Sequence, residues 1–325
     1  MSAFADRATD IVIDARTGRV ENAAMHERLA LLALRASIAI LGPNLFGFSY
    51  IARAVRKLLP SRKSMQFVLS DDARMRVDYC DAYWSQLVSP NHNYEPEVRR
   101  FVTAFRDTPY AFIDGGANHG YWSILVTSKA FGSKPAVAVE AASDTYVHLD
   151  ENRQLNADRF TILNRAIGSV TGEQVRIYGV KHEARTTVAS EGLKPILDCV
   201  SITLDDLSKE KPVAGAGAFA VKLDVEGMEV QSMNAATSLL NSDCVFVYED
   251  HGSDRTHEVT RNAMGKLGLR VFWLDEKQPR EIRDASELDA IKVSRRFGYD
   301  MAATKSPFWL SRLENLINTS TAVAA

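Results

Sequence analysis

Ala111-Phe112-Ile113-Asp114-Gly115-Gly116-Ala117-Asn118-His119-Gly120 runs from an apolar segment into a glycine-rich turn, and Ala136-Val137-Ala138-Val139-Glu140 follows as a second apolar segment ending in an acid. A strand, a tight turn, a helix and a second strand with a terminal carboxylate make a nucleoside-binding β-α-β unit. The glycines let the backbone approach a ligand closely. Glu140 stands where it can accept hydrogen bonds from both hydroxyls of a ribose.

The spacing of the glycines selects among nucleosides. A dinucleotide fingerprint reads G-x-G-x-x-G, with a pyrophosphate on the amides at the helix start. No placement of Asp114-x-Gly116-x-Asn118-x-Gly120 gives that pattern. Asp114 would repel a pyrophosphate, yet it suits the ammonium group of S-adenosyl-L-methionine, directly or through water. The carboxylate of that donor can take amides at the start of the following helix. The competing reading is a glycine turn in some other α/β domain.

A chain of 325 residues with 46% hydrophobic and 25% charged side chains is ordinary globular material, long enough for one large α/β domain with additions. Its net charge of −2 gives no global attraction to nucleic acid, and none is expected as a partner. Cys80, Cys199 and Cys244 are far apart and form no C-x-x-C pair, which excludes a disulfide framework or a zinc ribbon. Met1 to Val20 carries charges throughout and lacks an apolar signal core, so a cytoplasmic location is expected.

Four regions follow from the pattern: a helical segment over 1–65, a small strand and helix cap over 66–109, the main domain over 110–310 and a tail over 311–325. Leu29 to Leu41 is almost wholly apolar, and Gly42-Pro43-Asn44 ends that helix. Leu45 to Leu59 carries Arg53, Arg56 and Lys57, with Arg62 and Lys63 just beyond. The first run is too short for a bilayer, which needs about 20 apolar residues. Residues 24–63 therefore read as a hairpin packed on the main domain or on a second subunit, or as a peripheral membrane contact.

Strands are expected around the turn Ser70-Asp71-Asp72, then a helix with Val98, Phe101, Val102 and Phe105 on one side. Apolar strands and helices alternate after Tyr110. Strands are expected at Tyr110–Ile113, Ala136–Val139, Phe160–Leu163, Phe219–Asp224, Cys244–Tyr248 and Leu269–Leu274. Helices are expected at His119–Phe131, Asp144–Asn156, Glu229–Leu240 and Arg255–Lys266. A hairpin lies around Glu173 to Val180, a strand at Cys199–Leu204 and an antiparallel edge strand near Tyr299–Ala303. The fold class is α/β: a Rossmann-like, doubly wound, mostly parallel sheet, with ligands at the carboxyl ends of its strands.

The run Phe219-Ala220-Val221-Lys222-Leu223-Asp224-Val225-Glu226-Gly227-Met228-Glu229 holds the second constellation. Alternation puts Lys222 and Asp224 on one side of the strand. A buried Lys222 needs a partner, and Glu249 on the neighbouring strand is the expected one. Glu229 opens a helix, where a carboxylate suits the dipole.

These residues resemble the FkbM-type methyltransferase family, whose members are class I S-adenosylmethionine enzymes that mostly methylate hydroxyl oxygens. The resemblance spans roughly residues 94 to 252. It rests on Tyr94-Glu95-Pro96-Glu97, the first turn through Tyr121, Glu140 with Asn152 and Asn156, Asn164-Arg165-Ala166-Ile167-Gly168, Leu204-Asp205-Asp206-Leu207 and the Lys222 to Glu229 string. The chain departs from the family in having Ala141 where proline is common, and residues 1–65 have no counterpart. The resemblance implies that Asp114, Gly116, Asn118, Gly120, Glu140 and Ala166 hold the donor, with Gly115, Ala117 and Tyr121 from the same turn. It sets Asp224 near the methyl group.

Methylating a hydroxyl requires alignment and a base. His251, just past Tyr248, has a suitable intrinsic pKa. Asp224 and Glu226 are rivals, with His119 and His92 behind them; His26, His148 and His257 read as solvated. Asp224, Glu226, Glu249 and Asp250 offer hard oxygen ligands, but no required metal is expected, since the resemblance implies a family not generally metal-dependent and Lys222 offsets part of their charge. The acceptor site is expected from residues 66–100, the loop Lys181–Lys194 with His182, Arg185, Thr186 and Thr187, and the tail after Arg295. The resemblance implies sugars, glycolipids or polyketide-type natural products as acceptors, and a glycan or lipid-linked sugar is favoured because the apolar, basic N-terminal segment suits a substrate presented at a membrane. The alternatives are N-methylation, an NAD(P)-dependent oxidoreductase on the same fold, or a catalytically silent, cofactor-binding scaffold.

Overall fold

The computed structural model describes residues 9–42, 45–90, 92–179, 185–188, 195–295 and 297–324. By its internal contacts the chain forms two compact units, one of Met1–Asn93 with Gln154–Ala157, the other of Tyr94–Arg153 and Asp158–Ala325.

The first unit opens with β1 (Ile11–Asp14) and β2 (Val20–Glu21), followed by α1 (Met25–Leu41) and α2 (Phe48–Leu58), then β3 (Ser64–Ser70) and β4 (Ala73–Asp78). Its sheet order is β2-β1-β3-β4, with β1 and β3 parallel. The first 65 residues are thus not simply helical: two strands there add to the β3–β4 hairpin, burying Ile11 and Ile13 with Met65 and Phe67. Glu27 fixes the start of α1 by accepting the Ala24 amide at 2.7 Å, Ser61 Oγ at 2.6 Å and Lys63 Nζ at 2.9 Å.

The second unit begins with α3 (Pro96–Ala104), which buries Val98, Phe101 and Val102 as its spacing predicts. The α/β alternation then runs β5 (Ala111–Gly115), α4 (Tyr121–Val126), β6 (Ala136–Val139), α5 (Ser143–Leu155) and β7 (Thr161–Leu163). A side sheet of β8 (Ala166–Ile167), β9 (Gln174–Tyr178) and β10 (Pro195–Ile202) follows, in the order β8-β10-β9. Next come α6 (Leu204–Leu207), β11 (Phe219–Leu223), α7 (Glu229–Ala235), α8 (Thr237–Leu240), β12 (Cys244–Glu249) and α9 (Glu258–Arg261). The chain closes with β13 (Arg270–Trp273), β14 (Arg280–Ile282), α10 (Leu288–Ile291), β15 (Asp300–Thr304) and α11 (Pro307–Ala324).

The main sheet has the order β14-β13-β15-β12-β11-β5-β6-β7. From β7 to β12 every pairing is parallel, and apolar side chains are buried on both faces. This is the doubly wound α/β sheet expected. Chain order reverses between β5 and β11, which makes their carboxyl ends the topological switch point. The antiparallel strand expected at the edge is β15, and it lies inside the sheet, between β12 and β13. Its residues Met301, Ala302 and Ala303 are at most 1% exposed, which an edge position would not allow. The edge is taken by β14, antiparallel to β13.

Helices are shorter than their apolar patterns. The helix expected over His119–Phe131 starts only at Tyr121 and stops at Val126, where Thr127 and Ser128 turn their hydroxyls onto the carbonyls of Ser123 and Leu125. The expected tail is helical: Trp309 and Leu313 of α11 are fully buried, and Trp309 packs on Phe101, Phe105 and Tyr110.

Candidate functional site

The turn after β5 is built on glycine. At Gly116, φ is +75°, and a Cβ there would lie 1.8 Å from the Asp224 carbonyl oxygen. Only a residue without a side chain lets the turn pass the end of β11 so closely. The Gly116 and Ala117 amides donate to the Val139 carbonyl at 3.1 and 2.9 Å, tying the turn to β6. Asn118 and Gly120 also take positive φ, and α4 starts at Tyr121. Asp114 is 1% exposed, and its Oδ2 accepts the Ser123 amide at 3.0 Å and the Ser123 hydroxyl at 2.6 Å. Burial raises its carboxyl above the usual range, while Lys222 and Ser123 pull it down. One oxygen of Asp114 thus anchors the helix start, a task that Ser123 does not announce in the sequence.

Glu140 follows β6 and is buried. Its Oε2 accepts the Asn118 amide at 3.0 Å and its Oε1 accepts the Ala142 amide at 2.9 Å. Burial pushes its carboxyl up to about 7, against these amides and the nearby Arg185. Each oxygen retains a second lone pair. Asn164 donates to the Glu140 and Ala141 carbonyls at 2.9 Å, and the buried Ala166 begins β8 just beyond.

The carboxyl end of β11 gathers charges from several elements. Lys222 is 3% exposed, with its Nζ 3.3 Å from Asp224 Oδ2, as alternation predicts, and 3.5 Å from Glu95 Oε2. Glu95 also accepts the Trp122 indole N–H at 2.6 Å. Glu249 is not the partner of Lys222 expected from sequence. The parallel register sets Lys222 opposite Val247 and Leu223 opposite Tyr248, so Glu249 lies level with Asp224 instead. Burial and then Asp224, Asp300 and Glu226 hold the Glu249 carboxyl well above its usual range, with a hydrogen bond to Asp224. A Cβ at Gly298 would fall 1.9 Å from Glu249 Oε1, so that glycine makes room for the carboxyl. Asp300, paired with Glu249 across β12 and β15, is raised by burial and by Glu95 despite Lys222. Glu95 and Asp300 come from opposite ends of the unit's sequence, and local spacing signals neither.

Beyond Asp224 the chain bends through Glu226 at φ +52° and Gly227 at +104°. Glu229 ties the bend by accepting the Val225 and Gly227 amides at 2.9 Å each. Thr186 donates its hydroxyl to the Glu226 carbonyl, and Val188 lies over Gly227. His182 and the rest of the 181–184 and 189–194 stretches lie outside the described residues. Arg185, expected to be available to an acceptor, is paired with Asp144 and Thr145 at the start of α5. The pairing draws Asp144 below its usual range.

His251 is exposed and held by its neighbour Ser253. The Ser253 amide donates to His251 Nδ1 at 3.1 Å, and the Ser253 hydroxyl lies 2.6 Å from the same nitrogen. An amide can only donate, so Nδ1 is the acceptor and the neutral ring carries its proton on Nε2. The buried pair Lys292–Asp250 fixes this loop, with Lys292 Nζ also donating to the His251 and Asp254 carbonyls. His119 is buried and stacked on His148, with ring centroids 4.7 Å apart. His257, expected to be solvated, is fully buried, with Nε2 3.2 Å from Asp289 Oδ1. Among the described residues no group of three or more His, Cys, Asp or Glu side chains is placed to hold a metal ion.

No family model and no curated protein sequence matches the chain. Among solved structures it is similar to the precorrin-6y C5,15-methyltransferase of Geobacter metallireducens (16% identity, 64% of this chain and 86% of that one, TM-score 0.36). It is similar to the methyltransferase FkbM of Methylobacillus flagellatus (11% identity, 60% and 43%, TM-score 0.38), covering under half of that protein. An S-adenosylmethionine-dependent O-methyltransferase of Thermotoga maritima gives 13% identity, 65% of each chain and a TM-score of 0.35. With likenesses this distant, the strand order itself is the ground for the fold.

Proposed function

We propose that this chain transfers the methyl group of S-adenosylmethionine to a hydroxyl oxygen on a sugar, glycolipid or natural-product acceptor. One observation carries the reading: Glu140, at the end of β6, holds the Asn118 amide of the glycine turn and keeps a lone pair on each oxygen. A carboxylate so placed suits a ribose diol. Asp114, Asp224 and Glu95 place three carboxyl groups at the same strand ends, and a donor carrying both an ammonium and a sulfonium would favour their ionised forms against the burial that raises Asp114 and Glu95.

When bound, adenosylmethionine supplies a methyl group on a positively charged sulfur, and the thioether left behind needs no proton. The chain must align the acceptor and receive its hydroxyl proton. Asp224 is the base we assign: its carboxyl group is partly exposed at the end of β11, whereas burial and the neighbouring carboxyls raise Glu249 beside it well above its usual range. His251 suits the task less, because its one basic nitrogen already accepts from Ser253. Glu226 remains the rival on the bend.

Parallel calorimetric titrations with adenosylmethionine, its demethylated product and NAD⁺ test the reading. The first two are expected to bind and NAD⁺ not. Asp114→Ala with Glu140→Ala is expected to abolish binding; undiminished binding, or NAD⁺ in its place, overturns the proposal. With labelled donor and glycan or glycolipid extracts, Asp224→Asn is expected to slow transfer about 100-fold or more, and His251→Ala to leave it within about threefold. Label on nitrogen would replace the acceptor class; donor binding without any transfer would point to a silent scaffold.

A further inference from the structure

The run Leu29 to Leu41 is apolar but for Arg35 and Ser37, yet α1 buries only one side of it, through Ala30, Leu31, Leu34 and Ser37. The other side carries Met25, Leu29, Leu32, Ala36 and Ile40 at spacings of three and four. Met25, Leu29, Leu32, Ile40, Tyr50 and Leu58 are between 51% and 83% exposed. On α2, Tyr50, Arg53 and Lys57 follow one another at the same helical spacing, all exposed. A continuous apolar face of this kind marks an interaction surface.

Charge selects the occupant. Residues 28–70 hold Arg28, Arg35, Arg53, Arg56, Lys57, Arg62 and Lys63 and no acidic residue, in a chain whose net charge is −2. Four of these cations have local partners: Arg28 holds the Ala23 carbonyl, Arg35 the Val88 and Gly18 carbonyls, Lys63 pairs with Glu27, and Arg56 lies 3.5 Å from Asp78. Arg53, Lys57 and Arg62 stay exposed, Arg53 and Lys57 on the side of α2 that carries Tyr50. A second copy docked symmetrically on this face would bring the same uncompensated cations together. No helix among the described residues is long and apolar enough to cross a membrane.

We propose that α1 and α2 dock reversibly on an anionic phospholipid surface, the outward face of α1 and Tyr50 entering the interface while Arg53, Lys57 and Arg62 meet headgroup phosphates. An apolar face together with a basic patch supplies the two signals that peripheral binding needs. Each cation near an anionic leaflet adds to binding enough that removing three weakens it on the order of 100-fold. The docking is independent of the methyl-transfer reading.

The test is co-sedimentation of the full chain with vesicles of phosphatidylcholine alone and of phosphatidylcholine with phosphatidylglycerol in equal parts. Binding is expected to the anionic vesicles, to weaken with added salt and to fall on the order of 100-fold in Arg53→Gln/Lys57→Gln/Arg62→Gln. Ile40→Ser/Tyr50→Ser, two exposed positions, is expected to weaken it with the melting temperature unchanged. Absent binding to anionic vesicles overturns the proposal, as does binding that both variants leave intact. A dimer seen by sedimentation velocity and dissolved by Ile40→Ser/Tyr50→Ser, without vesicle binding, gives the face to a second copy and also overturns it.

Discussion

Burial pushes the Glu140 carboxyl up to about 7, against the pull of the Ala142 and Asn118 amides and of Arg185. The folded chain therefore holds a proton there that the unfolded chain, with an ordinary glutamate near 4.3, releases. Between those values the folded state binds more protons, so Glu140's contribution to stability declines as pH rises. Donor binding, as proposed, is expected to run the other way, because diol hydroxyls bond best to the ionised carboxylate. Affinity for the demethylated donor is expected to rise with pH and level off above about 7, falling toward tenfold per unit below it. Glu140→Gln is expected to bind more weakly and without that slope; titration calorimetry across this range reads both, and an unchanged slope in the variant removes Glu140 from the donor site. Glu140 was legible because a strand end and a glycine turn announce it locally. The partner of Lys222 was not, because β11 and β12 settle their register through packing of the whole sheet, and Glu95 reaches Lys222 from a separate helix start.

Elements follow the same division. Ala136–Val139 was legible to the residue, since four apolar residues between Pro135 and Glu140 leave a buried parallel strand no other bounds. The helix expected over Glu229–Leu240 is broken into α7 and α8 by a group no local pattern names. Asp205, from α6, accepts the Thr237 hydroxyl at 3.2 Å and the Ser238 and Leu239 amides at 2.8 and 3.1 Å, capping a new helix start. The helix expected from Arg255 begins at Glu258 because Asp254 takes the Thr256 and Glu258 amides, both at 2.7 Å. Both caps satisfy amides that a continuous helix would not leave open. Asp205→Ala is therefore expected to destabilise the chain by about 1 kcal/mol, with Asp205→Asn recovering most of it. Denaturant unfolding measures the change, and donor affinity should stay constant, since α8 lies outside the proposed site. A loss well under half that size would mean that α8 holds its start without the cap.

At the scale of the whole molecule, each unit buries apolar side chains of its own: Ile11, Ile13, Met65, Phe67 and Trp84 in one, those on the two faces of the eight-stranded sheet in the other. The residues proposed to hold the donor, Asp114, Glu140 and Asp224, all belong to the second unit, and the apolar and basic face of α1 and α2 belongs to the first. A ligand stabilises only the folded unit that binds it, by about 2.7 kcal/mol at one hundred times its Kd. For a domain of the larger unit's size that corresponds to a shift of roughly 5–10 °C. Scanning calorimetry is accordingly expected to resolve two transitions, with the demethylated donor raising one by that amount and leaving the other in place. Asp114→Ala with Glu140→Ala should cancel the shift in the responsive transition. A single transition moved as a whole would show that the cores unfold cooperatively, and movement of both transitions in the double variant would show a donor site elsewhere than the end of β5 and β6.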